Sequence, residues 1–535
     1  MKKILFATLL AASVMPAVAQ ETYENAKIMT EDLNGTARYV GMGGAMEALG
    51  ADISTIGSNP AGLGLFRNSV ANISFGFVSQ GDAPDMYGAK KTIASFDQAG
   101  FVWSTNTSGA KQSFFNFGFN YHKSRNFDYI LAAADRFPVS EYIDKDGKVQ
   151  TYSASQNKVT VAKAMEGLLY EVNPDGSPNF DRAYLSCSQI DDIYAKALNY
   201  NVTDNTWYPY EASAYDLGRY HSGYVGEWDF NLSGNIDNRY YLGLTVGIHD
   251  VHYKHHGVYM EEITSGDPDF NLLMVDDVRR ITGTGFDVKL GTILRPVEYS
   301  PFRIGFYVHT PTFYTLTTSN ETCATDGKVF MSSSSSYKFK LYTPWKFGVS
   351  LGHTIGSQVA LGATYEFASY GSADTRYITD TYYDYWDDYS YDRSESDEVM
   401  NAHTSETLKG VHTLKLGAEF KPVPELALRV GYNYVSPMFE EDGFRDVTLD
   451  SDGTFCSTTT DYTNWKDTHR ITAGLGYTMG KVNLSAAYQL SSTKGEFNPM
   501  INYIDDVHPE FSVITNPVDV KKIRHQAILT LGYTF

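Results

Sequence analysis

The chain has 535 residues, with 63 Asp and Glu against 43 Lys and Arg and a formal net charge of −20; with no basic cluster able to follow a phosphate backbone, nucleic acid is excluded as a partner. Mean hydropathy is −0.30 although 40 Tyr and 30 Phe are present, an aromatic surplus of the kind interfacial girdles require. Past the first twenty residues no window of about 18 apolar residues occurs, which excludes spanning helices, and the three cysteines, Cys187, Cys323 and Cys456, allow one disulfide at most.

Lys2 and Lys3 precede an apolar run from Ile4 to Met15 and then Pro16-Ala17-Val18-Ala19. This reads as a cleaved export signal over residues 1–19, with a mature chain beginning near Gln20 and no following cysteine to take a lipid. Residues 20–69 do not alternate. They carry Gly35-Thr36-Ala37-Arg38, Gly41-Met42-Gly43-Gly44-Ala45, Asp52 and Ser58-Asn59-Pro60-Ala61-Gly62-Leu63. The glycine run lacks the Lys-Ser/Thr of a phosphate loop. Pro60 fixes φ and the Asn59 side chain can bond nearby backbone, which makes a rigid turn.

From residue 70 the hydrophobic period is two, which puts alternate side chains on opposite faces of a strand. Strands are expected near 70–79, 94–104, 113–133, 217–233, 240–254, 279–295, 302–316, 335–352, 357–370, 408–421, 425–437, 466–479, 481–493 and 521–535. That is an even number, about fourteen, and the connections alternate between short turns and long polar links, the asymmetry of an outer-membrane barrel with its termini on the short-turn, periplasmic side. The inward faces then collect Asp229, Asp287, Lys289, Arg303, Glu366, Lys415, Glu419, Arg429 and Arg470, charges of both signs that point to a cross-linked, partly filled lumen. In the third strand Phe115, Phe117, Phe119 and Tyr121 face outward before the pattern stumbles at His122-Lys123-Ser124-Arg125-Asn126. The stumble reads either as a bulge able to open the wall, with Gly118 as a second candidate, or as the headgroup level of the membrane.

The long link 134–216 is expected to be partly helical. Val161, Met165, Leu168, Leu169 and Val172 share one helical face, and Ile190, Ile193, Tyr194, Ala197 and Leu198 another. They form either an external groove for first capture, with Met165, Leu168, Leu169 and Ile193 as its lining, or a cap packed on itself. Three further patterns are read as uninformative. Gly348-Val349-Ser350-Leu351-Gly352 lacks the strand–turn–helix setting of a hydrolase nucleophile. His249, His252, His255 and His256 alternate faces, so at most one pair can share an ion, and they are taken as a solvated strand end without metal. The acidic, aromatic run from Asp380 to Asp392 is taken as an external loop without a fixed ion.

The order of motifs in residues 20–69 resembles the FadL/TodX family of hydrophobic-compound channels, in which a Gly-Arg-Ala-like stretch, a glycine/alanine stretch and an Asn-Pro-Ala motif lead into the first strand; here Ala37-Arg38 reverses the usual Arg-Ala order. Phe302-Arg303-Ile304-Gly305, His309-Thr310-Pro311-Thr312-Phe313-Tyr314, Thr343-Pro344-Trp345-Lys346-Phe347 and Leu428-Arg429-Val430-Gly431-Tyr432-Asn433-Tyr434 are similar to a branch of that family sometimes labelled as haemin receptors. The resemblance implies an all-β fold: a 14-stranded antiparallel transmembrane β-barrel over 70–535, closed by an N-terminal plug over 20–69. It implies a non-enzymatic channel, without cofactor, for hydrophobic small molecules such as long-chain fatty acids. Arg38, Asn59, Pro60, Ala61 and Gly62 would belong to the plug and its gate, and Gly118, His122 and Ser124 to a sideways exit through strand three. Expected partners are the apolar ligand, outer-membrane lipid and lipopolysaccharide, and the barrel assembly machinery that reads a terminal Phe such as Phe535. The alternative reading is a surface receptor for haem or another large apolar ligand; a lipid-acting barrel enzyme is a third.

Overall fold

The computed structural model describes residues 21–86, 88–106, 113–264, 270–326, 330–384, 389–505 and 508–535; the expected export signal and residues 385–388 of the acidic, aromatic loop lie outside them. Fourteen antiparallel strands form a closed barrel. They are β1 (Val70–Gly81), β2 (Thr92–Asn106), β3 (Phe114–Asn126, resuming over Tyr129–Arg136), β4 (Ala212–Ile236), β5 (Tyr240–Ile263), β6 (Leu272–Leu294), β7 (Arg303–His309 and Phe313–Thr325), β8 (Phe330–Tyr342 and Lys346–Ile355), β9 (Val359–Ser369 and Asp374–Asp384), β10 (Gly410–Val423), β11 (Leu426–Val435), β12 (Tyr462–Met479), β13 (Val482–Asn498) and β14 (Val518–Thr534). Closure is made where β14 pairs with β1, from Val70 opposite Thr534 to Gly81 opposite Ile523.

The alternation does what it must in a barrel immersed in lipid. Along β5, Tyr240, Leu242, Leu244, Val246 and Ile248 are exposed on the outside while Tyr241 and Thr245 are buried within. The same outward face turns polar at Asp250 and continues as His252, Lys254 and His256. Polar Ser74, Asn120, Asn231, Thr364 and Thr530 are buried on the inner side. Apolar groups outside and polar groups inside are the inverse of a water-soluble sheet. Three exposed Tyr–His pairs, Tyr365–His412, Tyr432–His469 and Tyr488–His525, each join a hydroxyl to Nδ1 at 2.7 Å between neighbouring strands. They close the outward apolar runs of their strands as an aromatic girdle closes a hydrocarbon band.

Strands β4 to β6 are longer than the sequence pattern shows, at 25, 24 and 23 residues. At ~3.3 Å per residue they far exceed the 9–11 residues a membrane needs, so their outer halves stand in water. The expected polar link 317–334 is accordingly mostly the outer arms of β7 and β8, paired from Phe313 opposite Tyr342 onward. Both strands break at one level, at Thr310-Pro311-Thr312 and Thr343-Pro344-Trp345, where neither proline can donate to the ladder and Thr343 Oγ1 instead accepts from the Thr312 N–H at 2.8 Å. In the link between β3 and β4, helices α3 (Gln156–Met165) and α4 (Gln189–Tyr194) form, and α5 (Glu398–Thr407) leads into β10. The three cysteines are free thiols.

Residues 21–66 fill the barrel. They comprise α1 (Thr22–Met29), α2 (Ala37–Gly41) and two 3-10 turns, Ile53–Gly57 and Pro60–Leu65. Thr36 caps α2 by accepting from the Tyr39 N–H, and Asp52 caps the first 3-10 turn through the Ser54 N–H. The segment enters from the long-link end, where Glu21 is bound bidentately by Arg445 at 2.6 and 2.7 Å and Thr22 reaches Thr404 of α5 at 2.7 Å. It leaves into β1 at the short-turn end, beside Phe535. This corrects the expectation that both ends of the mature chain lie on the short-turn side: the mutual burial of Glu21 and Arg445 holds residue 21 at the opposite mouth.

A candidate binding cavity above a seated plug

The wall is thinned where residues 41–63 touch it. A side chain at Gly243 or Gly291 would run into the Asn59–Pro60 backbone and side chain, at Gly417 into the Met42 carbonyl, at Gly362 into that of Ala45, and at Gly118 into Leu63. Glycine inside a strand otherwise weakens it, and here it admits close approach of a second backbone. Gly118 therefore seats the plug, and the pairing of β2 and β3 runs through it unbroken, which corrects its reading as a point of wall opening.

The Asn59-Pro60-Ala61-Gly62 turn is buried against β4 to β7. Asn59 Oδ1 accepts from the Ala61 N–H at 3.2 Å while its Nδ2 donates to the Thr292 carbonyl at 3.3 Å. Asn231 donates to the Pro60 carbonyl, Thr245 to that of Ile56, and His309 Nε2 to that of Ser58 at 2.7 Å. Charge fixes the far side. Arg38 pairs with Glu419 at 3.1 Å and donates to the Ala51 carbonyl at 2.8 Å, and Glu47 takes Lys415 at 2.9 Å. Asp32, between α1 and α2, is held by Arg125 at 3.1 Å and Arg524 at 2.9 Å. Burial would raise its carboxyl pKa, but the two guanidiniums override this and keep it far below the usual carboxylate range.

Above residues 33–57 of the plug and alongside α1 lies a cavity of about 310 Å³, floored by Leu33, Ser54 and Gly57 and walled by Tyr23 of α1 and by aromatic faces including Phe127, Tyr129, Tyr253, Phe439 and Trp465. One side is cationic. Arg125 and Arg524 share Asp32, Arg470 donates to the Asn433 amide oxygen at 2.7 Å, and the Lys522 ammonium sits over the Tyr129 ring at 4.7 Å. The cavity thus joins aromatic surface to four basic side chains, two of which share Asp32, which suits a ligand with an apolar body and an anionic end.

The stumble in strand three is a bulge at Ser124: β4 residue Val225 faces Arg125 and the next, Gly226, faces Lys123. Pairing with β2 stops at His122, and β3 breaks at Phe127-Asp128. Beyond the break the Gln80 amide of β1 reaches across, donating to the Ile130 carbonyl and accepting from its N–H, both at 2.7 Å. A narrow cleft lined by Val78, Ile93 and Asp128 lies there and shares Tyr129, Lys522 and Arg524 with the main cavity. His122 and Ser124 face inward, so they do not mark a headgroup level.

The external stretches do not make one groove. α3 stops at Met165, which is exposed; Leu169 is buried with Tyr170 and Cys187, and Ile193 separately with Val159 and Tyr194. Leu168 is half-buried. Burial of Leu169 and Ile193 removes them as a capture surface. The histidine run also differs from a solvated strand end: His252 and His256 lie outside beside Asp250 and Asp276, whereas His249 and His255 are buried among carboxylates. Sequence reasoning missed Gln80, Arg445 and the seating glycines; a backbone seat leaves no side-chain signal, and the other two act on partners hundreds of residues or a whole strand away.

No family model matches the chain, and no curated protein does. Solved structures align over nearly all of it. A FadL homologue of Pseudomonas aeruginosa has 12% identity and a TM-score of 0.49, covering 95% of this chain and 99% of its own. The Ralstonia pickettii toluene transporter TbuX has 12% identity, a TM-score of 0.48 and coverages of 94% and 99%. The Pseudomonas putida toluene transporter TodX has 11% identity, a TM-score of 0.46 and coverages of 95% and 100%. The chain's structural neighbours are thus a FadL homologue and hydrocarbon channels, while its own fold rests on the closed strand pairing described above.

Proposed function

We propose that the chain is an outer-membrane channel for passive uptake of hydrophobic small molecules carrying an anionic end, such as long-chain fatty acids. The observation that carries this reading is the aromatic cavity with Arg470, Lys522 and Arg524 on one side. An acyl chain gains roughly 0.8 kcal/mol per buried CH₂, and a carboxylate gains charge-assisted hydrogen bonds. Residues 20–69 act as the plug, with Asn59-Pro60-Ala61-Gly62 and Arg38 as its fixed end. The exit lies sideways at the β2–β3 gap, where the Ser124 bulge and the cleft beside Asp128 leave Gln80 as the bridge. The long links face outward and the short turns the periplasm, with lipid and lipopolysaccharide around the barrel.

Mass spectrometry of ligands that co-purify with the full chain tests the cargo, and equilibrium binding of a 16-carbon fatty acid tests the site. Removing both basic side chains in Arg470→Ala/Lys522→Ala is expected to weaken binding about tenfold or more, while a neutral hydrocarbon of equal length is affected little. Equal binding of the fatty acid by wild type and variant refutes the site. A co-purifying porphyrin absorbance supports the haem reading in its place.

A further inference from the structure

Beside the cavity floor, four adjacent strands turn six ionisable side chains toward one region of the wall: His122 of β3, Glu227 and Asp229 of β4, His249 of β5, and Asp287 and Lys289 of β6. All but His122 are more than nine-tenths buried. The Lys289 ammonium pairs with Glu227 and lies 3.1 Å from Asp229 and 3.7 Å from Asp287. Three carboxylates face one ammonium and two imidazoles, with His122 3.4 Å from Asp229 and His249 3.5 Å from Asp287, so the set is neutral out of water only when both imidazoles are protonated or a bound cation supplies two positive charges in their place. Donor capacity is left over as well. His249 Nε2, Asp287 Oδ1 and Asp229 Oδ2 are buried without a hydrogen-bond partner, although the ion-pair contacts His249 Nε2–Asp287 Oδ2 at 3.5 Å and His122 Nδ1–Asp229 Oδ2 at 3.4 Å place them in the cluster.

We propose that this cluster is a binding site for one divalent transition cation of the zinc type, held by Glu227, His249 and Asp287. One ligand atom from each of the three lies within 4.8 Å of the others. Two bonds of roughly 2.0–2.2 Å reach at most about 4.4 Å, so the three side chains close in slightly around the ion and leave a fourth position open. The charge closes: a dication beside the Lys289 ammonium balances three carboxylates while both imidazoles stay neutral, the form that coordinates metal. The Tyr314 hydroxyl, 3.4 Å from His249 Nδ1, orients the ring from behind. The imidazole selects against calcium and magnesium, which take oxygen donors. His122, Glu227 and Asp229 form a second triad on the shared Glu227, and Gly57 of the plug lies against the His122 ring. A bound ion therefore stiffens the wall where the plug is seated, and this holds whichever cargo the cavity takes.

The test is zinc binding by the full chain in detergent after dialysis against a chelator, read as stoichiometry and affinity by competition with a chromophoric chelator. Wild type is expected to bind one zinc tightly. His249→Ala is expected to weaken it about 100-fold, His252→Ala on the outer face of the same strand to leave it unchanged, and Lys289→Met to tighten it by removing the competing ammonium. X-ray absorption of the wild type, which requires no variant to fold, is expected to show a nitrogen/oxygen shell near ~2.0–2.1 Å containing one imidazole. No bound zinc in the wild type, or undiminished binding in a folded His249→Ala protein, overturns the proposal.

Discussion

At the scale of single residues, the outer link carries a group tuned near neutrality. Asp452 begins the short helix α6 (Asp452–Phe455); burial first, and then the neighbouring Asp397 charge, raise its pKa to about 7. Asp397 is itself raised, mainly by burial, while it accepts from Ser451 Oγ at 2.7 Å and the Met400 N–H at 3.0 Å. The folded pKa of Asp452 lies above the unfolded value near 3.9, so between about pH 4 and 7 the folded link binds more protons and loses stability as pH rises. Limited proteolysis of residues 438–461 is expected to run about tenfold or more slower at pH 5 than at pH 8, and Asp452→Asn to abolish most of that difference. A rate independent of pH in the wild type, or faster cleavage at pH 5, contradicts the assignment. Arg445 belongs to the same link, and its bidentate hold on Glu21 makes any loosening here a loosening of the plug's entry.

At the scale of elements, what decides the interior is the fit of one backbone against another. Gly417 of β10 faces the Met42 carbonyl and Gly243 of β5 faces Pro60, so a larger residue displaces the plug while leaving the strand ladder intact. Gly417→Val is expected to cost about 1–3 kcal/mol by overpacking and to raise small-solute leakage through a barrel that still runs folded on unheated gels. Unchanged leakage would mean that Met42 does not rest on that wall.

Strands were legible in the sequence because lipid outside and polar lumen inside impose period two on β5, β11 or β14 with few exceptions. Their breaks and outer arms were not. Beyond the membrane the outside face is polar too, so β4 to β6 lose their contrast above Asp250, and the twin breaks at Pro311 and Pro344 look like ordinary turns until β7 and β8 are placed side by side. The plug motif could be read as a rigid turn from Asn59-Pro60. The seat it fits needs Gly243, Gly291 and Gly305 from three strands, and only register brings these together. The cavity was least legible, since Tyr23, Tyr129, Phe439, Arg470 and Lys522 come from five separate parts of the chain.

At the scale of the whole molecule, two solvents meet one closed sheet. The outer apolar band on the inner halves of the strands requires lipid, and the buried ions within, Arg38–Glu419, Lys415–Glu47 and Arg524–Asp32, require residues 21–66 to stay in place. Removing that segment frees Glu419 and Lys415 to water but leaves the β14–β1 closure untouched. The barrel should survive as a polar tube. The most direct measurement is therefore solute flux into liposomes carrying either the intact chain or a chain lacking residues 21–62. A folded deletion protein that admits small sugars at many times the rate of the intact one is the predicted result. Equal permeability of the two, with both inserted and folded, would contradict the account.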